Sequence, residues 1–349
     1  MPVASRAAAL LLACAAAAPA AAAEPVYRSF GDWVVGCDNT RRCELLNLGS
    51  DTAWGLDLTL ALDAGPDAAP ELALATEDVL EGRLWLDGVL LPQDTIAPGP
   101  AAVLRGDAAL HLVDAIRDGS RLATGPGPEA PAASLAGLSA ALLLVDEVQG
   151  RLGTRTALLR RGTAPAAQVP AAPPLPPAPR AAAAAPPLDE SEAGGLVAAV
   201  REASATDLEA EGCFVDAGEA WDQAVALDAD GVLVLLECWR GAYQGSSVIY
   251  RVPRAAPDAA RRVVLELPLP ATTADRRVDA FTSAGYDPAT ATLSHVARGR
   301  GLADCGIAAH WIFDGDAFRL ASLAYLDRCG RVEPGAWPVL WRTQAPGAE

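Results

Sequence analysis

The residues whose types and spacing could do chemistry form a short cluster near the carboxyl end of the chain. The cluster consists of Arg298, Arg300, Asp304, His310 and Trp311. Guanidinium groups are forked donors for anions and an indole ring is a flat apolar face, so one interpretation is an anion or ligand site. In the other, Asp304 pairs with an arginine at a glycine-rich turn and Trp311 packs over a disulfide of Cys305. The structural interpretation is favoured, because disulfide-rich domains commonly hold irregular loops in this way.

Other motifs of catalysis are missing from the sequence. Gly245-Ser246-Ser247 lacks the second glycine of a nucleophile elbow, and the chain has neither a phosphate loop nor a dinucleotide fingerprint. The acidic turn at residues 228–231 departs from the spacing of a calcium loop. With 44 acidic residues, a carboxylate pair suited to hydrolysis remains an open alternative without an assigned position. We therefore predict no catalytic residue, no metal site and no cofactor.

Cysteine usage indicates an oxidising compartment. Beyond residue 23 the chain has six cysteines: Cys37, Cys43, Cys213, Cys238, Cys305 and Cys329. An even number of cysteines behind an export signal favours structural disulfides, and the spacings do not match those of zinc sites. The connectivity is open from sequence alone. Pairing of nearest neighbours is the economical hypothesis, because each such pair brackets a predicted hairpin or loop.

The first 23 residues have the three parts of a secretory signal peptide, with Arg6 before an apolar run and small residues at 21–23. An alternative is lipidation at Cys14, since residues 11–14 resemble a lipoprotein processing site. Nothing downstream is apolar and long enough for a transmembrane helix. The net charge is −17 and all 27 basic residues are arginine, so the surface repels phosphate backbones and nucleic acid is excluded as a partner. We expect a periplasmic or secreted protein.

The elements that position the cluster are short antiparallel strands. Two apolar runs at residues 310–313 and 317–320 flank Asp314-Gly315, which is a strong hairpin signal, and Cys305 and Cys329 flank the hairpin at nearly equal distances. Further strands are predicted at 220–227, 232–239, 247–252, 262–267 and 292–298, after a helix at 193–203. The segment 191–349 is therefore predicted to be a carboxyl-terminal antiparallel β domain.

The segment 24–162 is predicted to be an amino-terminal β-rich domain. It opens with a hairpin joined by Cys37 and Cys43, and further strands are expected at 54–62, 71–75 and 83–86. A short helix is expected at 109–118. The clearest helix covers 134–148, with Ser134 as its N-cap and Gly150 after its end. A final strand is predicted at 154–159.

Residues 163–190 are predicted to be a linker between the two domains. Nine prolines between 162 and 190 remove backbone donors and stiffen the chain, so we expect a semi-rigid spacer. Such a spacer would either hold the domains apart or fold back if their faces are complementary. The predicted fold class is α+β and β-rich: two disulfide-stabilised domains of mainly antiparallel strands with a few helices.

Several motifs in order along the chain resemble a known family, the bacterial exported proteins catalogued as domain of unknown function 1176. The motifs are Phe30-Gly31-Asp32-Trp33 with Cys37 and Cys43; Ser134-Leu135-Ala136-Gly137 through Asp146 and Gln149-Gly150-Arg151; Cys238 with Gly241-Ala242-Tyr243; Gly299-Arg300-Gly301 with Asp304-Cys305-Gly306; Trp311 with Asp314-Gly315 and Phe318; and Trp337-Pro338 with Trp341-Arg342. The amino-terminal half also resembles the invasion-associated locus B type of periplasmic domain. The resemblance implies export and an envelope location, and no established activity.

The leading functional hypothesis is a non-catalytic interaction module that binds an envelope protein or glycan. One alternative is an inhibitor of an extracellular hydrolase such as lysozyme, because lysozymes are often basic and this chain is acidic. The other is a carboxylate-based hydrolase, which would require a cleft with two acids of perturbed pKa.

Overall fold

A computed structural model describes residues 22–49, 55–92, 96–215, 220–271, 273–330 and 332–345. The predicted signal peptide and Cys14 lie outside these residues. Within them the protein is β-rich with a few helices, and its sheets are mainly antiparallel, as the sequence predicts. None of the described helices is long and apolar enough to cross a membrane.

The amino-terminal half is built on a six-stranded antiparallel sheet in the order β1-β2-β3-β4-β5-β8. Its strands are β1 (Val26–Phe30), β2 (Trp33–Cys37), β3 (Cys43–Asn47), β4 (Asp57–Leu62), β5 (Glu71–Leu80) and β8 (Gly99–Arg105). The first five are consecutive neighbours, and each pairs antiparallel with the strand before it. Cys37 and Cys43 are directly opposite each other and bonded, so the predicted first hairpin is confirmed.

Two helices and a small sheet cover one face of this sheet. They are α1 (Asp107–Ile116), α2 (Leu138–Val148) and a four-stranded sheet of β10 (Ala132–Ser134), β9 (Arg121–Ala123), β6 (Trp85–Leu86) and β7 (Val89–Leu90). Trp33, Val35 and Leu45 point into the core between the layers and meet Leu138 and Leu142 of α2. Side chains alternate across a strand, so their neighbours on β2 and β3 point away from this core.

The carboxyl-terminal half follows a helical segment and contains two main sheets. The helices are α3 (Glu190–Ala203) and α4 (Ala205–Ala210), and the first sheet has the order β11 (Gln223–Ala226), β12 (Gly231–Arg240), β13 (Gly245–Pro253), β14 (Arg261–Arg262). β15 (Leu265–Glu266) pairs with β16 (Arg277–Val278), and β17 (Phe281–Thr282) pairs with β13. The second sheet has the order β18 (Gly285–Asp287), β19 (Thr292–Arg298), β20 (Gly306–Phe313), β21 (Phe318–Leu326), β22 (Val339–Arg342). β20 and β21 form the predicted hairpin around Asp314-Gly315.

The two halves share a hydrophobic core. Val34 and Leu46, on the second face of the first sheet, pack in one cluster with Trp311, Leu323 and Leu340. Every residue of β2 is consequently buried, with the helices on one side and the carboxyl-terminal half on the other. The approach is close at Gly36, where an added Cβ would lie 2.5 Å from the Cβ of Pro338, so a larger residue does not fit.

A buried polar network also joins the halves. The carboxylate of Asp38, which is almost fully buried, accepts from the Thr40 backbone N–H (2.7 Å) and from Arg342 Nε (2.5 Å). Arg342 Nη2 donates to Thr40 Oγ1 at 2.8 Å, and the Asn39 side chain exchanges two hydrogen bonds with the Arg342 backbone, each of 3.0 Å. The turn between β2 and β3 is therefore attached to the last strand of the chain.

The proline-rich segment lies along the protein. The carbonyl of Pro176 accepts from the Gln344 backbone N–H at 2.8 Å, and Ala182 N–H donates to the carbonyl of Phe313 at 2.8 Å. Val169 is buried. Of the two arrangements considered from the sequence, the segment takes the folded-back one, because the faces of the two halves are complementary. The division into two domains at residues 163–190 stays a prediction.

Two sequence predictions in the first half are wrong, one at the start of a helix and one over a whole strand. Ser134 is not an N-cap: it ends β10, and α2 begins at Leu138 after Gly137, whose φ of +99° suits glycine. Residues 154–159 are not a strand. The backbone N–H groups of Leu158 and Leu159 donate instead to the buried carboxylate of Asp146, at 2.7 and 2.9 Å, so they are not available to a ladder.

Replacing Arg342 by leucine should lower the free energy of unfolding by about 2 to 3 kcal/mol, because it leaves the Asp38 carboxylate buried without its cation. The matched control is Arg319→Leu, which removes a more exposed arginine from an Nε pair with Asp314 at 2.7 Å. That change should cost clearly less, because water screens an exposed ion pair. Urea unfolding of the three proteins measures both values, and equal losses would show that the Asp38 network does not join the halves energetically.

The buried ring of His295 in β19 is held in its neutral form. Nδ1 accepts a hydrogen bond of 2.9 Å from the Thr282 backbone N–H, which protonation of Nδ1 would break. Burial lowers the pKa of His295 to about 4. The unfolded chain therefore binds a proton that the folded chain does not bind between about pH 6.5 and 4, so the free energy of unfolding falls as the pH falls through this window.

Acidification from pH 7 to pH 4 should lower the free energy of unfolding of the protein by up to about 3 kcal/mol more than that of a His295→Gln variant. The variant lacks the protonation of this ring. Urea unfolding at several pH values for both proteins gives the difference, in which the contributions of the carboxylates cancel. His111→Gln, at an exposed position of α1, is the control and should follow the unmodified protein. Parallel pH profiles for the His295 variant and the unmodified protein would contradict the prediction.

Candidate binding surface

The structure separates the five residues of the predicted cluster. Arg300 pairs with Asp304 in the loop between β19 and β20, with Nε to Oδ1 at 2.7 Å, and the Asp304 side chain is buried. Trp311 is fully buried in the shared core. His310 lies in the middle of β20, where Nδ1 is 3.1 Å from Ser322 Oγ. Burial lowers the pKa of His310.

Asp304 lies close to the third disulfide. The ligand atoms of Asp304, Cys305 and Cys329 lie within 4.8 Å of one another. Both sulfur atoms are bonded to each other, so they provide no thiolate for a metal ion. Trp337 Nε1 donates to the carbonyl of Ala303 at 3.1 Å, which fixes the same loop from the other side. The cysteines pair as nearest neighbours throughout, with Cys213 bonded to Cys238.

Arg298 belongs to a different arrangement, at the end of β19. Its guanidinium donates to the carbonyl of Tyr243 and lies over the Tyr243 ring, with Cζ 5.1 Å from the ring centroid. The side chain of Gln244 holds the Arg298 backbone: Oε1 accepts from its N–H at 3.0 Å and Nε2 donates to its carbonyl at 3.1 Å. Tyr243 is 44% exposed. The tyrosine ring is thus fixed against an arginine on one side while much of its surface remains in solvent.

A second aromatic ring is held in the same way at Trp221, which is 71% exposed. The guanidinium of Arg240 lies over the Trp221 ring, with Cζ 4.0 Å from the centroid. Glu237 holds both residues: its carboxylate accepts from Arg240 Nε at 2.7 Å, from Arg240 Nη2, and from the Trp221 backbone N–H at 2.8 Å. These hydrogen bonds from Arg240 lower the pKa of Glu237, so its side chain is charged.

A further ion pair holds Asp222, the residue that follows Trp221. Arg201 of α3 binds Asp222 through two hydrogen bonds of 2.7 Å, from Nε and from Nη2. Asp222 Oδ1 also accepts from the Glu237 backbone N–H at 2.9 Å. Two carboxylates and two arginines therefore hold the exposed tryptophan and the residue that follows it.

Two further exposed apolar residues are joined through the backbone to the elements that carry these rings. Phe214 is 67% exposed, and its backbone N–H donates to the carbonyl of Cys238 at 3.1 Å. Leu302 is 65% exposed and follows Gly301, which lies against the Tyr243 ring. We name these residues the aromatic surface: Phe214, Trp221, Arg240, Tyr243, Arg298 and Leu302. An exposed apolar surface of this kind, framed by polar groups, typically marks an interaction site.

Sequence reasoning found only one member of the aromatic surface, Arg298. The Arg298 to Tyr243 contact joins residues 55 positions apart, and Glu237 is 16 positions from Trp221. The one local sequence feature that points to this surface is the segment from Arg240 to Tyr243, which has an arginine and a tyrosine at a turn. Predicted strands 232–239 and 247–252 placed this turn correctly.

A cleft lined by several acidic residues lies between the halves. Its volume is about 470 Å³, and Glu44, Asp57 and Glu333 line it together with Trp337. Glu44 accepts hydrogen bonds from Arg42 Nη2 at 3.3 Å and from the Val339 backbone N–H at 3.4 Å, so this carboxylate has structural partners in both halves. The hypothesis of a carboxylate-based hydrolase stays a prediction.

Fold and surface together define a disulfide-bonded, β-rich α+β protein with two arginine-backed aromatic rings in solvent. The chain belongs to the family described as "Protein of unknown function (DUF1176)", which matches residues 27–344, so the resemblance seen in the motifs is confirmed. It is 32% identical over 336 residues to "Uncharacterized protein YpfG" of Escherichia coli (strain K12), covering 92% of this chain and 94% of that protein. No solved structure matches.

Replacing Glu237 by glutamine should release the Trp221 ring, because a neutral amide cannot retain both Arg240 and the Trp221 N–H. We expect a loss of about 2 to 3 kcal/mol in the free energy of unfolding and averaging of the Trp221 indole signal in NMR spectra. The matched control is Glu192→Gln, which alters another forked pair, with Arg254, at 2.9 and 2.8 Å. The control should leave the Trp221 signal unchanged. If Glu237→Gln also leaves it unchanged, Glu237 does not hold the ring.

Proposed function

We propose that this chain is an exported, non-catalytic binding module of the bacterial envelope, and that the aromatic surface is where it contacts its partner. The observation that carries the proposal is the exposure of Trp221 on a rigid support. An exposed indole is unfavourable in water, and here a buried glutamate and an arginine hold it outward. Tryptophan, tyrosine and arginine are the residues that contribute most to binding energy at interfaces.

The envelope location rests on three features of the chain. The leader has the organisation of a signal peptide, and cleavage after residue 23 would leave six cysteines. All six are within bonding distance in pairs, which suits an oxidising compartment such as the periplasm. Lipidation at Cys14 would instead anchor the same body to a membrane. The resemblance of the amino-terminal half to the invasion-associated locus B type of periplasmic domain agrees with this location.

The predicted cluster contributes to this proposal through one residue. Arg298 lies in the aromatic surface, and the Arg300 to Asp304 pair shapes the loop that carries Leu302. Trp311 and His310 support the fold beneath it. We therefore assign the binding role to the aromatic surface and treat the rest of the cluster as its framework.

The proposal is tested by site-specific photocrosslinking in living cells. Amine-directed reagents suit this protein poorly, because it has no lysine. A photoreactive amino acid at position 302 should give one defined crosslinked species, and the additional change Trp221→Ala should remove that species. The same probe at position 89, which is 69% exposed on the edge strand β7, is the control and should give none.

A crosslink at position 302 that survives Trp221→Ala would count against the aromatic surface as the site of attachment. The absence of any crosslink at 302, with the protein present at its normal amount, would count against a partner at this surface. Release of the protein by osmotic shock, together with mass analysis of its amino terminus, tests the envelope location separately.

A further inference from the structure

We infer that the ligand of the aromatic surface is an uncharged oligosaccharide, whose sugar rings stack on Trp221 and Tyr243. This inference rests on the proposed function and specifies its ligand. The observation behind it is that one arrangement occurs twice at the same strand end. In each case a guanidinium covers one side of an aromatic ring, and the aromatic residue is exposed, Trp221 to 71% and Tyr243 to 44%.

The two rings are rigidly connected. Arg240, which backs Trp221, ends β12, and the turn at 241–244 that follows contains Tyr243. The turn is closed by a hydrogen bond of 2.8 Å from the Gly241 N–H to the Gln244 carbonyl, and Gln244 in turn fixes Arg298. Two flat apolar platforms near one strand end suit a ligand that itself repeats a flat unit.

The chemistry of a pyranose ring matches each platform. One face of such a ring presents C–H groups, which pack on the π-face of an indole or a phenol, while hydroxyl groups project from the rim. Beside the Tyr243 ring, the guanidinium of Arg298 brings N–H donors close to where those hydroxyl groups would lie. The aromatic rings are already oriented before binding, so little side-chain entropy is lost when a sugar stacks.

Charge restricts the kind of saccharide. The chain carries a net charge of −17, which repels polyanionic chains. The charge of Arg240 is offset by Glu237, whose carboxylate it binds through two nitrogens. The net charge of the chain therefore favours a neutral saccharide over a uronic acid or phosphate polymer.

The test is calorimetric titration of the purified full chain with two neutral probes, chitohexaose and cellohexaose, and with hexagalacturonate as the charged comparison. We expect at least one neutral hexasaccharide to bind, and hexagalacturonate to bind at least about tenfold more weakly. Trp221→Ala and Tyr243→Ala should each reduce the affinity about tenfold or more, since each removes a stacking platform.

Two further variants separate stacking from general apolar contact. Trp221→Phe keeps a flat ring and should retain most of the affinity, whereas Trp221→Leu keeps apolar volume without a π-face and should lose as much as alanine. Val89→Ala is the control on a distant exposed site and should bind as the unmodified protein. Because Trp221 is largely exposed, these variants should unfold at the same urea concentration as the unmodified protein.

The inference is overturned if neither neutral hexasaccharide binds, or if binding is indifferent to Trp221. The crosslinking experiment then decides whether the proposed binding surface fails together with the saccharide ligand. A Trp221-dependent crosslink to a polypeptide, without saccharide binding, would retain the binding surface and replace the ligand class by a protein. Failure of both experiments would remove the proposed function as well.

Discussion

The buried carboxylate of Asp38 joins the start of the folded chain to its end. A charge in a protein interior is unfavourable unless hydrogen bonds and a cation compensate it. Here the compensation comes from the turn itself, through Thr40, and from Arg342 in the last strand. The turn between β2 and β3 is therefore complete only when β22 is in place, and β22 brings with it the apolar residues that cover the second face of β2.

The same use of carboxylates recurs where the backbone is irregular. Asp146 accepts from consecutive N–H groups of a loop, Asp304 binds Arg300 beside a disulfide, and Glu237 holds the residues around Trp221. In each case the cation, where one is present, is arginine, whose planar guanidinium can occupy both oxygen atoms of a carboxylate. A chain without lysine thus builds its loops from forked pairs, and at the aromatic surface these pairs also set the direction of the rings.

Features that depend on neighbours in sequence were predictable, and features that depend on distant partners were not. The Asp314-Gly315 hairpin follows from a local pattern. Nearest-neighbour pairing of the cysteines was the economical hypothesis among connectivities that the sequence left open, and all three disulfides have it. The expected strand at 154–159 failed because the N–H groups of Leu158 and Leu159 bind Asp146, 12 and 13 positions earlier, which no strand propensity can reveal. The exposure of Trp221 was equally hidden, since tryptophan is usually largely buried and only the fold shows Glu237 and Arg240 behind it.

The shared core has a consequence for the order in which the protein can fold. Arg342 is 304 positions from its partner Asp38. Asp327 accepts a hydrogen bond of 2.6 Å from the hydroxyl of Tyr27, which lies 300 positions earlier in the chain. The chain is synthesised from its amino terminus, so the face of β2 and β3 that carries Val34 and Leu46 has no cover until β22 has been made and, in an exported chain, translocated. Contacts of such large sequence separation form slowly, and an uncovered apolar sheet face invites aggregation in the interval. The nascent amino-terminal half is therefore the part of this molecule that most needs a chaperone.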